Sequence, residues 1–181
     1  MNALAATNPP PYVTSLREMI SGVLLVAVSL TMHGFGMLYT LRLSGAFKLR
    51  FEKVPSFVTG MTHLVLAAWM ITLVHILEVI MWAGVFQWKH CFVNFSTAAY
   101  FALNEYTTVG SSFNLPQNWR LLEGMISTAG LLGFAWSTGV LLTLAQEFQE
   151  QQLQLLRQRR EMPRHSSTPA SQPPHTSSTH S

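Results

Sequence analysis

The sequence predicts an all-α integral membrane protein, with three transmembrane helices and one short re-entrant helix, with its loop, between the second and third. Three observations predict it. The 181 residues are 49% hydrophobic and only 10% charged, a membrane rather than a soluble balance. Three apolar stretches reach the ~20 residues that a helix needs to cross the hydrocarbon core. Between the last two lies a run too short to cross, ending in Thr107-Thr108-Val109-Gly110.

The elements follow in chain order. Residues 1–18 are polar, contain Pro9-Pro10-Pro11, and read as a disordered terminus outside the membrane. The first span covers 19–41 and holds one ionisable residue, His33. It is no cleaved signal peptide, since no basic cluster precedes it and it exceeds the ~7–15 residues of such a core. Arg17 and Glu18 cancel just before it. Residues 42–56 form a basic loop with Arg42, Lys48, Arg50 and Lys53, punctuated by Ser44-Gly45 and Pro55. The second span starts at Phe57, ends near Phe86, and carries His63, His75 and Glu78. Asn94 to Thr107 is the short helix, with Asn94 or Ser96 as its cap. Asn114-Leu115-Pro116 marks a surface loop. The third span, 121–145, has Glu123 near its start. Residues 146–164, rich in Gln, Glu and Leu, continue that helix into water. Leu144, Phe148, Leu155 and Leu156 there are candidates for contact with neighbours, or for rest on the lipid surface. The tail, 165–181, is Ser, Thr, Pro and His and cannot build a core.

Basic residues cluster in 42–53 and again at Arg157, Arg159, Arg160 and Arg164. Both stretches are therefore expected in the cytoplasm. An odd number of spans then puts the N-terminus outside and the C-terminus inside, in a cell (inner) membrane. The net charge of +3 reflects this topology and attraction to anionic lipid, not nucleic-acid binding. Cys91 is the one cysteine, so no intrachain disulfide forms. It reads as a free thiol, with an intersubunit disulfide as the alternative.

Ionisable residues inside spans are costly and mark function. His75 and Glu78 stand three apart and share one helix face. A satisfied structural pair is the first reading, with Ser137 or Trp136 as further partners for Glu78. A proton-sensitive switch is the second. A metal site is the third, and it requires His33 or His63 to converge on the pair. A haem reading would take His33 and His63 as axial ligands.

His75-Ile76-Leu77-Glu78, Trp82, Ala99-Tyr100-Phe101, Tyr106-Thr107-Thr108-Val109-Gly110, Trp119-Arg120-Leu121-Leu122 and Gly133-Phe134-Ala135-Trp136-Ser137-Thr138 are similar to segments of small bacterial two-transmembrane potassium channels. The resemblance covers about Phe57 to Gln146, so 57–145 would be a pore module: outer helix, pore helix, filter, inner helix. It implies a selectivity filter at Thr107, Thr108, Val109, Gly110, Ser111 and Ser112, with Thr108 supplying a hydroxyl and a carbonyl. The family continues Tyr-Gly-Asp where this chain has Ser111-Ser112-Phe113. Ser111 lacks the bracing ring, and Ser112 replaces a glycine, at ~1–2 kcal/mol if a positive φ is kept there. Asn104 and Glu105 are the candidate polar braces of the filter. Gly124, Gly130, Gly133 and Gly139 suit close helix packing, with Gly130 or Gly133 as a candidate gating bend.

The expectation is a passive cation channel with an altered filter, conducting potassium or another monovalent cation. One pore unit encloses no axis, so a homotetramer is expected. No cofactor is expected, and no nucleophile, base and oxyanion constellation points to an enzyme. The competing readings are a membrane-embedded metal or haem protein using His33, His63, His75 and Glu78, and a non-conducting accessory subunit.

Overall fold

Four helices account for most of the chain in the computed structural model, which describes residues 13–51 and 57–161. Helix α1 is Leu16–Phe51, α2 is Phe57–Trp88, α3 is Phe95–Tyr106 and α4 is Leu121–Glu161. A short 3-10 turn, Gln117–Trp119, leads into α4. Three of the helices, α1, α2 and α4, are long and apolar enough to cross a bilayer, and they mark a membrane protein. Large apolar side chains such as Leu24, Phe35, Leu73, Ile76 and Leu131 are exposed along them, a surface suited to lipid rather than water.

Helix α1 departs from its expected bounds. Ser44-Gly45 does not punctuate a loop: the helix runs through both to Phe51. A single glycine costs a helix only ~1 kcal/mol, and Ser44 is buried in the bundle. Pro55, the other expected break, lies outside the described residues, as do 1–12 and 162–181; residues 16–18, expected in the disordered terminus, instead open α1. Helix α4 is continuous through residues 146–160. Leu144 and Phe148 are used within the chain. Leu144 is buried, and the Phe148 ring packs 5.6 Å from that of Phe57.

Contacts at the two ends set the helix directions. Gly22 of α1 faces Leu122 and Met125 of α4, and Arg17 lies over the Trp119 ring. Lys89, just past α2, sits 3.5 Å from the centre of the same ring. Burial, helped by Arg17, lowers the Lys89 ammonium below its ordinary range. At the opposite end Phe47 of α1 stacks on His63 of α2. Thus α1 and α4 run parallel and α2 runs against them. Glu18, which seemed merely to cancel Arg17, is buried, and its carboxylate accepts the Leu121 N–H at 2.6 Å. It satisfies a free donor at the positive end of α4.

The core lies where α2, α3 and α4 meet. Val79, Trp82, Ala83 and Phe86 recur at helical spacing on α2, Ala98, Phe101, Ala102 and Tyr106 on α3, and Leu122, Ile126 and Ala129 on α4. Phe86 and Phe101 meet edge to face at 5.3 Å. In a bilayer such packing would stabilise through van der Waals contact rather than water release. Cys91 packs beside this core as a free, half-buried thiol.

Candidate functional site

Two features stand together at the inner end of α3: a buried polar network and the loop that follows it. Helix α3 has 12 residues. Asn94 takes its N-cap position, but the side chain caps nothing. Small Ala98 and Ala102 let α3 approach its neighbours closely, and both are fully buried. The α4 side of that approach is Gly130, where an added Cβ would collide with the Tyr106 carbonyl oxygen. Ser127, one turn earlier, donates to the Glu105 carbonyl at 2.8 Å. Gly130 and Gly133 both lie within continuous helix.

The last turn of α3 closes in a defined way. The Thr107 N–H donates to the Leu103 carbonyl at 3.0 Å, Thr108 to Glu105 at 3.0 Å, and Val109 and Gly110 to Asn104 at 2.9 and 3.2 Å. The Thr108 and Val109 bonds are those of a Schellman turn, whose left-handed position usually holds glycine. Here Thr108 occupies it, with φ 61°, at a cost of ~1–2 kcal/mol for a residue with a Cβ. Gly110 also has positive φ, 79°. Ser112 does not take the positive φ considered for it; among the described non-glycine residues only His90 and Thr108 do.

The two polar braces differ. Glu105 accepts the Ser111 N–H at 2.9 Å. Asn104 turns its amide back to the Tyr100 carbonyl at 2.8 Å and braces nothing beyond its own helix. Consecutive N–H groups from Thr107 to Ser111 are therefore all bonded within this segment. The carbonyls of 107–110 accept no hydrogen bond from any described residue. Val109 is 74% exposed on the single chain. The chain then returns to the start of α4, where the Leu115 N–H meets the Glu123 carboxylate at 2.6 Å.

Tyr106, first residue of the Tyr-Thr-Thr-Val-Gly stretch, turns inward. Its hydroxyl donates to Glu78 Oε2 at 2.5 Å. Glu78 is 1% exposed and draws partners from three helices. Ser29 donates to Oε1 at 3.1 Å, and His33 Nδ1 stands 3.2 Å from Oε2. His75, on its own helix, lies 3.5 Å from Oε2 through Nδ1 and 2.8 Å from the Tyr106 oxygen. The expected His75–Glu78 pair is thus one edge of a six-residue network. Neither Ser137 nor Trp136 bonds Glu78. Ser137 instead sits between the two histidines, 3.2 Å from His33 Nε2 and 3.0 Å from His75 Nε2. The Trp136 ring packs against His33.

His33 converges on the pair and His63 does not. His63 is twelve residues before His75, about 18 Å along α2, in a cleft with Leu144 and Phe148. Ser29 and Tyr106 were missed as network members. A hydroxyl facing a buried carboxylate leaves no local pattern, although serine in an apolar span is a weak signal of such pairing. Comparison with protein-family models, curated proteins and solved structures finds no match.

Proposed function

We propose that this protein is the pore subunit of a passive cation channel, with residues 107–112 lining the ion path. The observation that carries the reading is the division of labour in that loop. The N–H groups of 107–111 are all taken internally, and the carbonyl oxygens of 107–110 accept no hydrogen bond from any described residue. Carbonyl oxygens so presented can replace the water shell of a cation. The depth of α3 supports the same reading. Tyr106 meets Glu78 ten residues before Trp88, about 15 Å down α2. That is about half of a ~30 Å hydrocarbon core, so α3 would enter from one side and stop mid-membrane. Irregular backbone is tolerated there only in protein or against water. The C-terminal end of α3 adds a negative dipole end.

A single chain leaves Val109, with Tyr100 and Leu103 of α3 and Thr128, Leu131 and Ala135 of α4, facing outward. Four copies about one axis would cover this face and bring four loops together, in a homotetramer. The basic residues of 42–53 and 157–164 orient it with the loop entering from outside. Permeant ions would be potassium or another monovalent cation. Without a ring at Ser111, the outer half of the path would be less firmly braced than the inner half.

Cation flux into liposomes tests this. Gly110→Ala loses the backbone freedom of φ 79° and is expected to abolish flux while assembly persists. Converting Ser111-Ser112 to Tyr-Gly is expected to raise potassium flux relative to sodium. Parent-like conduction by Gly110→Ala would remove this loop as the filter.

A further inference from the structure

We propose that His33, His75 and Glu78 bind one divalent transition-metal ion of the zinc type, clasping α1 to α2 beneath α3. None of its ligands lies in 107–112, and the site does not depend on the channel reading. Its three ligand atoms lie within 4.8 Å of one another. His33 Nδ1 and His75 Nδ1 stand 3.2 and 3.5 Å from the same Glu78 Oε2. Two ligands at ~2.0–2.1 Å from a tetrahedral ion are separated by about 3.3–3.4 Å, so small side-chain shifts admit the ion.

The orientation of the rings points the same way. Both Nδ1 atoms face the carboxylate, and both Nε2 atoms face one hydroxyl, Ser137 Oγ. A metal-bound imidazole characteristically donates its other ring N–H to a fixed acceptor. A serine oxygen has two lone pairs and can accept from both rings. Its own proton then points toward Met37 Sδ, 4.0 Å away. Ser29 holds Oε1 at 3.1 Å and leaves Oε2 toward the ion. The Tyr106 oxygen lies 2.5 Å from Oε2 and 2.8 Å from His75 Nδ1. Those separations are shorter than two ligands on one ion keep, so Tyr106 is a hydrogen-bond donor to the carboxylate and not a fourth ligand.

Proton counting shows why a cation belongs there. Ser29–Glu78, Tyr106–Glu78, His33–Glu78, His75–Tyr106, His75–Ser137 and His33–Ser137 are six contacts. A carboxylate, two neutral imidazoles and three hydroxyls supply only five protons. One contact is then lone pair against lone pair, deep in the bundle. An ion at the two Nδ1 atoms and Oε2 replaces the two Nδ1 contacts. Both ring protons move to Nε2, where Ser137 accepts them, and Ser29 and Tyr106 keep Glu78. Every donor is then placed.

The test is metal analysis of the full-length protein, purified without an affinity tag or chelator from cells grown with added zinc. The tail histidines His165, His175 and His180 are controlled by a variant with all three changed to Ser. About one ion per chain is expected in both parent and tail variant, and loss of at least tenfold in His33→Ala. Ser137→Ala, which keeps all three ligands, is expected to weaken zinc binding by ~10- to 100-fold. In the parent itself, nitrogen NMR should find both rings protonated at Nε2 and bare at Nδ1. A metal-free parent whose melting temperature does not move on adding zinc or cobalt would overturn the proposal. So would retention of the ion in His33→Ala with loss in the tail variant. One doubly protonated ring beside Glu78 would assign the missing charge to a proton instead.

Discussion

Thr108 is the residue whose geometry is hardest to account for by folding alone. A β-branched side chain at φ 61° is a backbone outlier, and glycine is the ordinary occupant of a left-handed helix end. Thr108→Gly is therefore expected to raise stability by about 1 kcal/mol, read as thermal unfolding in detergent. On the channel reading it also removes a hydroxyl from the ion path, so potassium flux should fall in the same variant. Stability and flux rising together would show that Thr108 does nothing beyond ending α3. Glu78 offers a second test. Its carboxylate accepts from Ser29 and Tyr106 in a buried setting, with His33 Nδ1 3.2 Å away. Glu78→Ala is expected to cost ~1–3 kcal/mol by stranding those donors, and Glu78→Gln less, because it keeps an acceptor oxygen. Equal, negligible losses in both would argue that water already serves these groups.

At the scale of elements, α3 depends on α4 more than its length suggests. Twelve residues form a marginal helix alone; tertiary contact holds this one. At Gly130 an added Cβ would collide with the Tyr106 carbonyl. Gly130→Ala must push α3 away, displacing Tyr106 from Glu78 and the loop from its place. The expected cost is ~1–3 kcal/mol or more, with loss of flux, whereas Gly124→Ala, which faces open space inside α4, should keep flux and raise stability by up to ~1 kcal/mol. The short helix itself was readable from its length, its flanking turns and the break at Thr108-Val109-Gly110. The way it ends was not. A Schellman turn through threonine defies the residue preference on which a sequence reading of helix ends relies. Helix α1 outruns its expected end for a related reason: Ser44-Gly45 is a loop signal locally, and burial of Ser44 in the bundle outweighs it.

For the whole molecule, charge placement makes the prediction. The positive-inside expectation puts 42–53 and the C-terminal tail in the cytoplasm. Protease added to right-side-out vesicles should spare both, and cleavage of the tail from outside would reverse the expected topology. Three span-length helices, their odd number and the short helix between the last two follow from apolar run length and composition, which are local properties of the chain. So does the shared face of His75 and Glu78, because helical spacing alone places them together. The network is different. Glu78 meets Ser29 across 49 residues and Tyr106 across 28, and Ser137 meets His33 across 104. Periodicity tells which face of a helix is occupied and leaves open which helix lies opposite. Only the packing of α1 against α2 and α4, with α3 inserted to the depth that Gly130 permits, decided that two histidines, one carboxylate and three hydroxyls share one buried site.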